Sequence, residues 1–163
     1  MKADRVGILA AWLLVCIMVV HAVTGFERTL RDGQLVLLEL TPVDPRSLMQ
    51  GDYMALRFAA DTHLPQGGQP LPAFAYLHIG AGGRAVLAGT GSQPAAEPGV
   101  VSMRIRRGSG GAGLGPNAFF FQEGTASVYE QARWGGFRVA ADGTALLTAL
   151  YDEELQLLGS NRR

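Results

Sequence analysis

Residues 6–26 (VGILAAWLLVCIMVVHAVTGF) form an unbroken apolar run with no Asp, Glu, Lys or Arg. As a helix rising 1.5 Å per residue it is about 30 Å long, the thickness of a bilayer's hydrocarbon core. Only a helix satisfies its own backbone hydrogen bonds there. The pattern predicts a transmembrane anchor at 6–26, a short tail at 1–5 and a linker at 27–33. A cleaved signal peptide is the rival reading, with Ala22 near a small-residue cut site, but the run outlasts an ordinary signal core. His21 lies one turn from its end, where its ring can snorkel to the interface. Lys2 and Arg5 precede the run and Glu27, Arg28 and Arg31 follow it, so the positive-inside balance is nearly even. The short tail is assigned to the cytoplasm and the domain to the outside of the cytoplasmic membrane.

From residue 34 the pattern changes to short apolar runs with period-two alternation, separated by turn residues. Residues 34–41 (QLVLLELT) read as a strand. In 53–60 (YMALRFAA), Met54, Leu56 and Phe58 fall on one face and Tyr53, Ala55 and Arg57 on the other. Residues 73–79 and 84–88 flank a Gly80–Gly83 turn and suggest a hairpin. Strands at 100–106 and 118–122 follow, then 137–140 and 144–151 around Asp142-Gly143, the clearest hairpin turn in the chain. Residues 125–134 (TASVYEQARW) break the pattern: Val128, Tyr129 and Ala132 are at helical spacing, with Gly124 before and Gly135-Gly136 after. Loops are expected at 64–72, 92–99 and 107–116, the last (RGSGGAGLGP) mobile. The fold class is thus an N-terminal transmembrane helix plus a mainly-β domain at 34–158, a sandwich or partly open barrel with one short helix, and a tail at 159–163.

Composition changes this picture little. The 22 glycines and 8 prolines suit a domain punctuated by turns. Fourteen basic residues balance fourteen acidic ones, so no field favours nucleic acid. The single cysteine, Cys16, lies in the apolar run, which excludes an internal disulfide and thiol catalysis outside the membrane.

Asp44-Pro45-Arg46-Ser47-Leu48 leads into Gly51-Asp52-Tyr53, then Leu56 and Phe58. Phe119-Phe120-Phe121-Gln122-Glu123-Gly124, Tyr129-Glu130 and a Gly-containing hairpin follow. This series resembles the membrane-anchored bacterial family named for its Gly-Asp-Tyr-x-x-Leu-x-Tyr motif (GDYXXLXY), over most of the chain. Phe58 departs from it, standing where the motif has a second tyrosine. The resemblance implies an accessory protein beside a multi-span membrane protein, with the domain on the periplasmic side of the inner membrane. The motif also has a purely structural reading. Pro45 biases Asp44 toward extended geometry, Gly51 suits a turn, Asp52 accepts backbone N–H groups, and Arg46 pairs with Asp44 or Asp52.

A fainter likeness of Pro45, Leu48 and Gly51-Asp52 to the signal-peptidase-like fold does not reach its chemistry. Val43 stands near the serine's place, and the only lysine, Lys2, precedes the anchor. His63 and His78 have no triad partners, and Asp61-x-His63 offers too few ligands for a metal at no standard spacing. Glu123 suits a helix start. Arg104 and Arg106 share a strand face that meets either solvent or anionic headgroups. Residues 108–115 lack the Lys-Ser/Thr of a phosphate loop. No catalytic residue, metal or cofactor is implied. Two function classes remain. One is a non-enzymatic interaction module for a polytopic membrane partner, using Asp44, Pro45, Arg46, Gly51, Asp52, Tyr53 and Leu56. The other is a ligand-binding domain or hydrolase at the membrane surface, built on the same segment.

Overall fold

The N-terminal apolar run belongs to a longer helix. In the computed structural model, which describes residues 2–41, 53–65, 70–108, 111–122 and 124–160, helix α1 spans Lys2–Asp32. Its stretch Val6–Asp32 is long and apolar enough to cross a membrane. The 31 residues make a rod of about 46 Å, some three turns longer than the hydrocarbon core. Large apolar side chains along residues 6–26 are 49–69 % exposed, so the β domain does not cover them.

Residues 27–32, expected in the linker, are instead the last turns of α1. They lack an apolar stripe, but an established helix extends at little cost per residue, so polar residues carry it onward. This end docks on the domain. Thr29 is 6 % exposed, and Arg138 Nη1 donates to the Gly33 carbonyl at 3.0 Å. That places a cation at the helix C-terminus, where the dipole favours it. The Gly33 N–H still reaches the Thr29 carbonyl at 3.0 Å, and a side chain at Gly33 would strike that carbonyl.

The domain is built from short antiparallel strands. In chain order they are β1 (Gln34–Glu39), β2 (Tyr53–Ala55), β3 (Phe74–Ile79), β4 (Ala85–Gly91), β5 (Val100–Arg104) and β6 (Arg106–Gly108). Then come β7 (Gly111–Gly113), β8 (Ala118–Phe120), β9 (Trp134–Val139), β10 (Ala145–Tyr151) and β11 (Leu157–Ser160). They form a four-stranded sheet β1-β9-β10-β11, a three-stranded sheet β4-β3-β5, and the pairs β2-β8 and β6-β7. A bridge between Leu37 and Arg84 joins β1 to the start of β4, and one between Leu40 and Phe58 ties the chain after β1 to that after β2. No closed barrel forms among the described residues. One core fills the space between the sheets, from Val36 and Leu38 through Met54, Leu77 and Met103 to Phe137 and Leu150.

Both expected hairpins are present, β3-β4 across 80–84 and β9-β10 across 140–144. Met54, Leu56 and Phe58 are all buried, as their alternation predicts. Regular pairing of that strand stops at Ala55, however, and Ala59–His63 forms a 3-10 turn.

Four expectations are corrected. The helix expected at 125–134 is a single turn, α2 (Ala126–Tyr129), and Trp134 already begins β9. Gly135 and Gly136, expected to end a helix, pair with Leu38 and Leu37 inside the sheet, because β1 needs a hydrogen-bonded neighbour. The loop expected at 107–116 contains the β6-β7 pair and the buried Leu114. The tail expected from 159 begins later, since Gly159 and Ser160 pair with Leu150 and Ala149.

Candidate functional site

The motif segment enters the described structure at Tyr53. Asp44, Pro45, Arg46, Gly51 and Asp52 lie outside the described residues, as does Glu123. In the β2-β8 pair, Tyr53 stands opposite Phe120, Met54 opposite Phe119 and Ala55 opposite Ala118. Alternation sends Met54 and Phe119 into the core and leaves Tyr53 and Phe120 outside. Tyr53 is 36 % and Phe120 69 % exposed, their ring centroids 5.8 Å apart. Tyr53 and Leu56 thus do different work: Leu56 packs inward, whereas Tyr53 joins an aromatic patch on the surface. Phe120 was not singled out from the sequence. Its signal was there, because three consecutive phenylalanines in a strand force the middle one to the face opposite its neighbours.

The other candidates gather at the β9-β10 turn. Asp142 Oδ1 accepts the Thr144 N–H at 2.9 Å and Oδ2 accepts the Thr144 hydroxyl at 2.8 Å. These bonds, the backbone one first, hold the Asp142 carboxyl below its ordinary range. Gly143, at φ 84°, supplies the left-handed residue the turn requires, and its carbonyl accepts the Arg104 N–H at 2.9 Å. Arg104 lies 3.9 Å from Asp142 Oδ2 and over the Phe74 ring at 5.1 Å. The ion pair is exposed and contributes little stability by itself. Arg106 reaches the Ala145 carbonyl at 3.5 Å. Both arginines therefore flank this one hairpin.

Beside the same turn lies a groove of about 610 Å³ between it and the end of α1. His21, Gly25, Arg28 and Asp32 form one helical stripe of its wall, and Ala22, Phe26, Thr29 and Gly33 form the next. Ala140, Ala141, Asp142 and Thr144 form the opposite wall. The sequence did not disclose this groove, since nothing in it places residue 25 beside residue 142.

The GDYXXLXY family profile matches residues 15–150, most of the chain and the motif strand with it. The chain belongs to the GDYXXLXY protein family. No curated protein and no solved structure matches it.

In this GDYXXLXY protein the departure at Phe58 has a packing reason. Phe58 is 1 % exposed and meets Phe137 edge-on, with centroids 5.2 Å apart. Its ring lies between two glycines: an added Cβ would come within 2.5 Å of it at Gly115 and 2.8 Å at Gly135. A hydroxyl at this depth costs free energy unless it finds a hydrogen-bond partner.

Asp61, the middle residue of the 3-10 turn that follows, accepts the Leu114 N–H at 2.9 Å. Burial raises its carboxyl above the ordinary range, against the lowering effect of the Leu114 and Phe58 backbone bonds. Asp61 thereby ties the Gly-rich segment around β7 to the core of this GDYXXLXY protein. His63 and His78 are exposed. Among the described residues no three His, Cys, Asp or Glu side chains are grouped to hold a metal.

Proposed function

We propose that this protein is a non-enzymatic accessory module of a bacterial inner membrane, single-pass, with its β domain on the periplasmic side against a polytopic membrane partner. The observation that carries this reading is the helix-to-domain junction. The exposed apolar surface of α1 suits lipid or another helix, and α1 continues without a break until it docks on the sheet. A domain joined in this way sits at a set height and orientation beside the bilayer, as an accessory subunit needs. The exposed Tyr53–Phe120 pair supplies the kind of aromatic anchor that interfaces concentrate.

The test is co-purification in mild detergent at native expression level, with mass spectrometry of what accompanies the protein. A reproducible multi-span partner that is lost on Tyr53→Ala together with Phe120→Ala is the expected result. Recovery of the protein alone would sink the reading.

A further inference from the structure

We propose that the end of the β domain where α1 enters rests on anionic phospholipid headgroups of the leaflet that α1 leaves, through Arg104, Arg106 and Arg107. This rests on α1 crossing a bilayer, as in the reading above, and needs no protein partner.

The first argument is which end of the domain faces the bilayer. Large apolar side chains along the charge-free run are exposed, so the domain does not fold back over it. The last turns of α1, from His21 to Asp32, run beside the β9-β10 turn. Gln34, the first residue of β1, pairs with Val139 next to that turn, and Glu39 pairs with Trp134 at the opposite end. Wherever between His21 and Asp32 the bilayer boundary falls, the β9-β10 turn is at the near end and Trp134 at the far one.

The second argument is how charge divides between these ends. Arg104 donates its N–H to the Gly143 carbonyl at 2.9 Å, Arg106 reaches the Ala145 carbonyl at 3.5 Å, and Arg107 follows on β6. Arg138 lies at the same end, on the Gly33 carbonyl. The carboxylates there are Asp142, 3.9 Å from Arg104, and Asp61, close to Gly113 of β7. On α1, Arg28 and Arg31 are matched by Glu27 and Asp32, the last two of the four paired at 3.8 Å. Among the described residues the near end therefore carries an excess of cations, all of it from the domain. Arg106 and Arg107 are exposed, and neither forms an ion pair with a described residue.

At the far end the balance reverses. Asp152, Glu153 and Glu154 follow Tyr151, which pairs with Trp134, and Glu39 and Glu130 lie at the same end. Arg84, bonded to the Glu153 carbonyl, and Arg133, bonded to the Tyr151 carbonyl, are outnumbered by them. Glu97 and Arg57 add one charge of each sign. A domain polarised in this way is drawn to an anionic surface by its near end and repelled from it by its far end. A zwitterionic surface offers no such net attraction.

The experiment is hydrogen–deuterium exchange of the full chain in lipid nanodiscs, either of phosphatidylcholine alone or of phosphatidylcholine and phosphatidylglycerol in equal parts. Exchange across residues 104–108 should slow roughly fivefold in the anionic discs, and the effect should vanish at high salt. Exchange across residues 152–157 should not change. In Arg106→Gln with Arg107→Gln the lipid effect should be lost, with an unchanged thermal transition showing that the fold persists. Equal exchange in the two discs, protection at 152–157 instead, or protection that survives the double substitution would each overturn the proposal. So would the same protection in phosphatidylcholine discs on adding inorganic phosphate, which would mean a site for a free anion. Alkaline carbonate extraction separates the two readings. Release of the wild-type chain from membranes would remove the premise of both, whereas a retained chain with equal exchange in the two discs would overturn the lipid contact alone.

Discussion

Two aspartates show how one residue type takes opposite roles in this domain. Asp142 is exposed, and its hydrogen bonds to Thr144 favour the charged form. Its contribution is present above the unfolded pKa and is lost as pH falls through the lowered folded value. Asp61 is half-buried, and desolvation disfavours its charge. Here the native state binds the proton more tightly than the unfolded chain does. The stability linked to Asp61 is thus complete below the unfolded pKa of about 3.9 and declines as pH rises through the raised folded value. Asp61→Asn keeps an oxygen for the Leu114 N–H and removes the titration. In urea unfolding followed across this window, the variant should lose the decline that the wild type shows. A variant with an unchanged pH profile would mean that Asp61 does not carry the effect.

At the scale of elements, glycine serves β packing as much as turns. Gly135 and Gly136 lie in mid-strand of β9, where added side chains would come within 2.8 Å of the Phe58 ring and 2.6 Å of the Tyr151 ring. Gly91 on β4 and Gly159 on β11 are likewise covered by the rings of Tyr76 and Tyr129. Tyr129 in turn stacks on Phe121 at 4.8 Å and tilts against Phe119 at 5.5 Å, which holds α2 between β8 and β11. Bare strand positions allow aromatic rings to lie flat on the sheet, so a methyl group there overpacks the core. Gly135→Ala should destabilise by about 1–3 kcal/mol, measured from denaturant midpoints. An effect near zero would show that the Phe58 ring has room to move. The sequence pattern misread these residues because Gly-Gly after a helical spacing looks like a helix end. The requirement for a partner strand outweighed the propensity of 125–134, a contest that local pattern does not register.

At the scale of the whole molecule, the junction between α1 and the domain is the distinctive feature. Thr29 is buried against the domain, and Arg138 closes the helix through the Gly33 carbonyl. A fragment starting at Gln34 should therefore be less stable than one starting at Glu27, by about 1–3 kcal/mol for the lost burial and hydrogen bond. Thermal unfolding of the two fragments checks this. Equal transition temperatures would mean that the end of α1 rests on the sheet without stabilising it.

The sequence alone determined the features that depend on local order. A long run without charge specifies a helix long and apolar enough to cross a membrane. Strict alternation specifies that Met54, Leu56 and Phe58 face inward, and Asp-Gly between apolar runs specifies the β9-β10 turn. The motif carried the family, because its residues are contiguous. Tertiary structure alone decided what depends on residues distant in the chain. It brought Phe120 beside Tyr53, Asp61 to Leu114, and Arg104 to Asp142. It also laid the end of α1 along a turn more than a hundred residues away, where the groove opens. Such contacts follow from how the sheets pack around a shared core, and residue spacing carries no record of that packing.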